Sequence, residues 1–123
     1  MALVVDDSML VRHLVCRFLE ERGFAVETAA DGAEALQRLS APVLPSLIIT
    51  DLHMPQMSGS ELITALKARP ETAAIPIVVI AAKATARLME EENRANAFIY
   101  KDIEMTAQLD RVVRQLASEA GEG

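Results

Sequence analysis

The chain has too little cysteine for an internal disulfide. Cys16 stands alone, and a single thiol has no partner within the chain. That usage fits a reducing compartment, and a cytoplasmic setting is expected. No apolar run approaches the roughly 20 residues that a membrane-spanning helix needs, so no membrane partner is expected. The N-terminus is apolar for five residues and then meets Asp6 and Asp7, which is not the order of a secretory leader. Basic charge is also in deficit: 12 Lys and Arg stand against 18 Asp and Glu, a net charge of −6. Nonspecific nucleic-acid binding draws on a basic surface, so no nucleic-acid partner is expected. The acidity favours solubility and leaves a basic protein partner open. Internal repeats, low-complexity tracts and interdomain linkers are absent from the sequence.

What is there fits one domain. The 123 residues suffice for one core but not two, so 1–123 is expected to be a single unit. Short apolar runs alternate with helix-period segments. Leu3 to Val5, Leu47 to Asp51, Ile77 to Ala81 and Ala97 to Tyr100 read as strands buried on both faces, as in a parallel sheet. Phe24 to Thr28 alternates weakly and reads as a strand nearer an edge. Ser8 caps a first helix with Leu10, Val11, Leu14, Val15, Phe18 and Leu19 at apolar spacing, and Gly23 ends it. Cys16 falls inside this helix, where a thiol is inert when buried. Further helices are expected over Ala33 to Leu39, Glu61 to Ala68, Ala84 to Asn93 and Thr106 to Ala117. The third of these has Glu90-Glu91-Glu92 on a solvated face. Pro70 and Pro76 bracket a plain connection, and the tail from Ser118 frays. Alternating β and α units give an α/β fold: a doubly wound, five-stranded parallel sheet with helices on both faces. The alternation does not fix the strand order; of the two orders common in such sheets, five strands fit 2-1-3-4-5 better.

In such sheets the ligand crevice lies outside the carboxyl ends of the strands. Asp6, Asp7, Asp51 and Lys101 all follow directly on a strand or end one. Three carboxylates crowded together resist ionising, and a divalent cation relieves that. The grouping points to a magnesium site that handles a phosphoryl group. Plainer roles exist for each residue. Asp6 and Asp7 could simply complement the dipole of the first helix. Asp51 could cap its own turn, and Lys101 could be a solvated strand end. The His53 ring does not suit a hard magnesium site. His13 reads as a surface or boundary residue, and Met54 and Met57 as packing residues.

Val4-Val5-Asp6-Asp7-Ser8, Asp51-Leu52-His53-Met54-Pro55-Gln56-Met57-Ser58-Gly59 and Lys101 resemble the CheY-like receiver domains of two-component response regulators, also called flavodoxin/CheY-like in fold. Gly23-Phe24, Asp31-Gly32 and Ile75-Pro76 agree with this, and the resemblance covers nearly the whole chain. It implies a signalling module rather than an enzyme. Asp51 would take a phosphoryl group from a sensor histidine kinase or phosphotransfer protein, and a downstream protein would read the result. Asp6, Asp7, Asp51 and the backbone carbonyl of His53 would hold Mg2+, and Lys101 would pair with the phosphoryl group. The physics agrees: phosphoryl transfer needs positioning and charge neutralisation above all, Mg2+ prefers oxygen ligands, and a carboxylate nucleophile needs no general base.

Three departures from the family pattern bear on signal readout. Ala81 stands where the family usually has Thr or Ser, so the switch pair maps to Ala81 and Phe98, with Thr85 the nearest hydroxyl downstream. Lys101 is followed by Asp102 rather than proline, so this bond should be trans, and Asp102 is expected to compete for the ammonium. The stretch from Ala81 to Lys101 is about two residues short, with Arg94 at a usual glycine position. They leave a second reading open, a degenerate receiver acting as a phosphorylation-independent interaction module. A magnesium phosphohydrolase is disfavoured, because His53 stands where a second acid-base carboxylate would be needed.

Overall fold

The computed structural model describes residues 1–40, 43–52, 54, 57–82 and 94–121. Five strands form one sheet: β1 (Ala2–Val5), β2 (Val26–Ala29), β3 (Leu47–Asp51), β4 (Ile77–Ala81) and β5 (Ala97–Tyr100). All pairings are parallel and the order is β2-β1-β3-β4-β5, the order expected. Five helices are described: α1 (Met9–Glu21), α2 (Gly32–Arg38), α3 (Gly59–Lys67), the single turn α4 (Pro70–Ala73) and α5 (Met105–Gly121). The helix expected over Ala84 to Asn93 lies outside the described residues, as do Thr85, His53 and the Glu90-Glu91-Glu92 run.

Helices cover both faces of the sheet because β1, β3 and β4 are buried on both. Val15, Phe18 and Leu19 of α1 join Leu109 and Val113 of α5 over Val4, Ile49, Val78, Ile80 and Ile99. On the other side Ala35, Leu62, Ile63 and Leu66 of α2 and α3 cover Leu3, Val5, Ile48, Ile77 and Val79. Full burial of one such side chain contributes roughly 1.5–3 kcal/mol. Met54 and Met57 pack on this second cluster, and His13 is exposed, as expected.

Local chemistry sets the element ends. The Ser8 hydroxyl accepts the Val11 N–H at the start of α1. At its far end the Gly23 N–H donates to Glu20 and the Phe24 N–H to Leu19, a Schellman stop that needs the positive φ of Gly23, +89°. Phe24 is thereby tied to the helix, so β2 starts at Val26 rather than Phe24. Asp31 caps α2, which starts at Gly32, one residue before the expected start. A Ser58–Glu61 capping box starts α3 at Gly59, two residues early. Pro70 at the first helical position makes α4 out of an expected connection, and the Thr72 hydroxyl donates back to the Leu66 carbonyl at 2.7 Å. Residues 118–121, expected to fray, continue α5 as helix. Two of the six α1 residues expected at apolar spacing do not join the core: Leu10 is 68% and Leu14 42% exposed. The helix touches the sheet along one stripe, and six apolar positions span a wider arc than that stripe.

Candidate functional site

The register of the sheet assembles the site. Val5 pairs with Thr50 and with Ala29, Asp51 with Ile80, and Ile80 with Ile99. The residues that leave or end these strands therefore meet at one edge. Carboxylate oxygens of Asp6, Asp7 and Asp51 all lie within 4.8 Å of one another. Lys101 Nζ stands 3.2 Å from Asp6 Oδ2 and 3.2 Å from Asp51 Oδ2. The four charged residues singled out from the sequence thus converge, at different depths. Asp6 is fully buried, Asp51 nearly so, and Asp7 is exposed.

The two buried carboxylates are each held by a backbone N–H on one oxygen and face Lys101 with the other. Asp6 Oδ1 accepts the Ser8 N–H at 2.8 Å, so the strand-to-helix turn fixes its rotation. Asp51 Oδ1 accepts the Leu52 N–H at 2.8 Å. Asp6 Oδ2 is buried without a well-aligned hydrogen bond among the described residues. The Lys101 ammonium lies within ion-pair reach of it but off the hydrogen-bond direction. Burial pushes the Asp6 carboxyl above its usual range, and the Asp51 charge adds to that. The Ser8 N–H and the Lys101 ammonium offset only part of it. For Lys101, burial works against the charged form, but the Asp51 and Asp6 carboxylates outweigh it and raise the group above its ordinary value.

This arrangement fits a small hard cation. Three carboxylates converge, one carrying a buried oxygen that lacks a good partner, and such oxygen donors suit Mg2+. The fourth expected donor, the His53 carbonyl, lies outside the described residues.

Several supporting contacts were not singled out from sequence. The buried Thr50 hydroxyl donates to the Asp51 carbonyl at 2.8 Å, and Arg12 donates to the Asp6 carbonyl at 3.1 Å. Gly59 closes the β3–α3 loop, donating its N–H to the Leu52 carbonyl at 2.8 Å. A polar residue in an apolar β-strand, such as Thr50, was the one readable signal. Asp102 does not compete for Lys101 as expected. Its carboxylate accepts the Glu104 N–H at 2.8 Å and the Gln108 amide at 3.1 Å, because the free N–H groups opening α5 are nearer partners. No cis peptide occurs among the described residues. Ala81 is buried at the end of β4, opposite Tyr100, and Phe98 is half-buried, opposite Val79.

Fold and site together describe a doubly wound α/β module with three carboxylates and a lysine gathered at one edge of its sheet, and sequence comparison supplies the family. Residues 2–113 match the response regulator receiver domain family. The chain belongs to that family, whose members are signalling modules of two-component systems, phosphorylated on an aspartate beside an acidic pocket that binds Mg2+. The phosphate regulon transcriptional regulatory protein PhoB of Klebsiella pneumoniae is 34% identical over 98% of this chain. The chain spans 54% of that relative's length. Among solved structures, the chemotaxis protein CheY4 of Vibrio cholerae matches with a TM-score of 0.83 at 30% identity, covering 92% of this chain and 95% of that one. The response regulator TrrA of Thermotoga maritima, solved in complex with Mg2+ and BeF, matches with a TM-score of 0.78 at 27% identity, covering 92% and 96%.

Proposed function

We propose that this chain is a receiver unit over residues 1–123 that accepts a phosphoryl group on Asp51. The observation that carries this is the placement of Lys101 Nζ 3.2 Å from Asp51 Oδ2 inside a three-carboxylate cluster. Among the three acids, Asp6 is fully buried and already turned by Ser8, and Asp7 lies out in solvent. Asp51 alone combines a strand-end position, a Lys101 contact and a trace of solvent exposure. Its carboxylate oxygen attacks the phosphorus of a phosphohistidine, the P–N bond breaks, and an acyl phosphate forms as the imidazole leaves and takes a proton from solvent. Lys101 neutralises a phosphoryl oxygen, which is most of what such a transfer asks of a protein. Mg2+, held by Asp6, Asp7, Asp51 and the His53 carbonyl, would supply charge neutralisation when bound.

The phosphodonor is a sensor histidine kinase or phosphotransfer protein, and a downstream protein reads the modified state. The unit assists only its own phosphorylation and dephosphorylation. We assign it to the cytoplasm. No helix among the described residues is long and apolar enough to cross a membrane. Its net charge of −6 argues against nucleic-acid contact by these residues themselves, although a transcriptional regulator is among the relatives. Ala81, with no hydroxyl at the end of β4, is the one observation favouring a phosphorylation-independent interaction module; the assembled charges favour the first reading. Intact-mass measurement after incubation with acetyl phosphate and Mg2+ tests it. One base-labile phosphoryl group should appear on wild type and none on Asp51→Asn. An unmodified wild type, or equal modification of both, would sink the proposal.

A further inference from the structure

Lys101 reaches its two carboxylates from the end of an edge strand on a flexible four-carbon stem. Its usefulness depends on what holds its root. The main chain does part of this. The Lys101 N–H donates to the Ala81 carbonyl at 3.0 Å, and the Asp102 N–H folds back onto the Tyr100 carbonyl at 2.9 Å. A further part comes from one side chain on α5. Gln108 Oε1 accepts the Tyr100 N–H at 3.0 Å. Its Nε2 donates to the Tyr100 carbonyl at 3.4 Å and to Asp102 Oδ1 at 3.1 Å. That same Asp102 oxygen accepts the Glu104 N–H at 2.8 Å. A single amide therefore grips the residue before Lys101 and the residue after it.

The chemistry favours an amide here. β5 is the last strand of the sheet, so its outer backbone groups have no neighbouring strand among the described residues. Only a carboxamide offers an acceptor and two donors in one plane without charge. A leucine would fit the helical spacing between Met105, Leu109 and Val112 but would leave both strand groups and Asp102 unheld.

We propose that Gln108 is a positioning residue. With Asp102 it clamps the Tyr100–Lys101–Asp102 turn so that the Lys101 ammonium stands between Asp6 and Asp51. The inference rests on the role given to Lys101 above. A mere cap on the sheet edge would stabilise β5 without bearing on Lys101, and the two differ in what a double variant does.

The rate of phosphoryl uptake from acetyl phosphate is measured by intact mass in wild type, Gln108→Leu, Lys101→Ala and the double variant. Gln108→Leu should be about tenfold slower, in line with the sensitivity of reaction rates to small misplacements. It should add no further loss to Lys101→Ala, as holds for groups that act through one another. Asp102→Asn keeps the accepting oxygen and should match wild type, whereas Asp102→Ala should match Gln108→Leu. A second readout needs no phosphoryl transfer: acylation of lysines by acetic anhydride, mapped by peptide mass. Gln108→Leu should raise labelling of Lys101 several-fold and leave Lys67 unchanged. If wild type takes up no phosphoryl group, the proposed function fails, and the labelling alone judges the clamp. If Gln108→Leu does not fold by circular dichroism, the two Asp102 variants judge it. Unchanged labelling, a fully additive loss in the double variant, or an Asp102→Asn faster than wild type would overturn the clamp.

Discussion

Asp6 illustrates what one buried charge does to the whole site. Its carboxyl is held above the usual range by burial and by Asp51, against the pull of the Ser8 N–H and Lys101. As pH rises, the unfolded chain therefore loses this proton first. Between the two values the folded state binds more protons, so stability falls with rising pH across that window. Lys101 behaves in the opposite range. Its value is raised, because Asp51 and Asp6 outweigh burial, so its ion pairs stabilise below the ordinary lysine value and are lost as pH climbs through the higher folded one. In chelator, Asp6→Asn should remove the acid-side decline and melt a few degrees above wild type at neutral pH. Thermal melts from pH 4 upward check this, and a variant that melts lower at neutral pH would contradict it. The convergence of these charges was legible in the sequence, since strand ends of a parallel sheet share an edge. Their depths were not. Whether Asp6 or Asp7 turns inward depends on how the chain leaves β1, and the Ser8 N–H decides that.

Some element ends were legible and others were not. Ser8 and Gly23 mark the two ends of α1 in sequence and in space, whereas Asp31 reads in sequence only as part of a turn and caps α2 one residue earlier than expected. The start of α3 was misjudged because its apolar spacing begins at Leu62, whereas the Ser58–Glu61 capping box sets the boundary earlier. That shift matters for the site, because it puts Gly59 in the first turn, hard against β3. A Cβ there would lie 2.8 Å from the Leu52 Cα and closer still to the Asp51 carbonyl oxygen. Backbone cannot step aside as a flexible side chain can. Gly59→Ala should cost about 1–3 kcal/mol, as overpacking usually does, and should slow phosphoryl uptake by displacing Asp51. Gly23→Ala is the control. Its φ of +89° strains any L side chain, yet nothing lies within 4 Å of the added atom. It should cost about 1–2 kcal/mol and leave uptake unchanged. Urea denaturation and the mass assay on both variants separate the two effects. Equal uptake rates would show that the loop absorbs the Gly59 clash without moving Asp51.

At the scale of the molecule, the doubly wound parallel architecture was legible because apolar runs and helix-period segments alternate with so few exceptions; the alternation left the strand order open, and 2-1-3-4-5 was the better of two common orders for five strands. How a change at Asp51 travels was not, since it depends on contacts across β4 and β5. The registers give the adjacencies such a route would use: Asp51 lies beside Ile80, Ala81 beside Tyr100, and Val79 beside Phe98. Phe98 is half-buried and packs against the cluster shared with α2 and α3. Ala81, at the head of this route, offers a phosphoryl group nothing to hold. A hydrogen bond to a charged group contributes about 1.5–3 kcal/mol. A modification shifts an equilibrium only by its differential interaction with the two states. Phosphorylation should therefore move Phe98 through Lys101 alone and only in part. Ala81→Thr should supply the missing bond and enlarge the response. Backbone amide shifts around Phe98, recorded with and without beryllofluoride and Mg2+ in both proteins, measure it. If wild type already rearranges Phe98 fully and Ala81→Thr adds nothing, the hydroxyl is dispensable here, and the Lys101 contact carries the whole coupling.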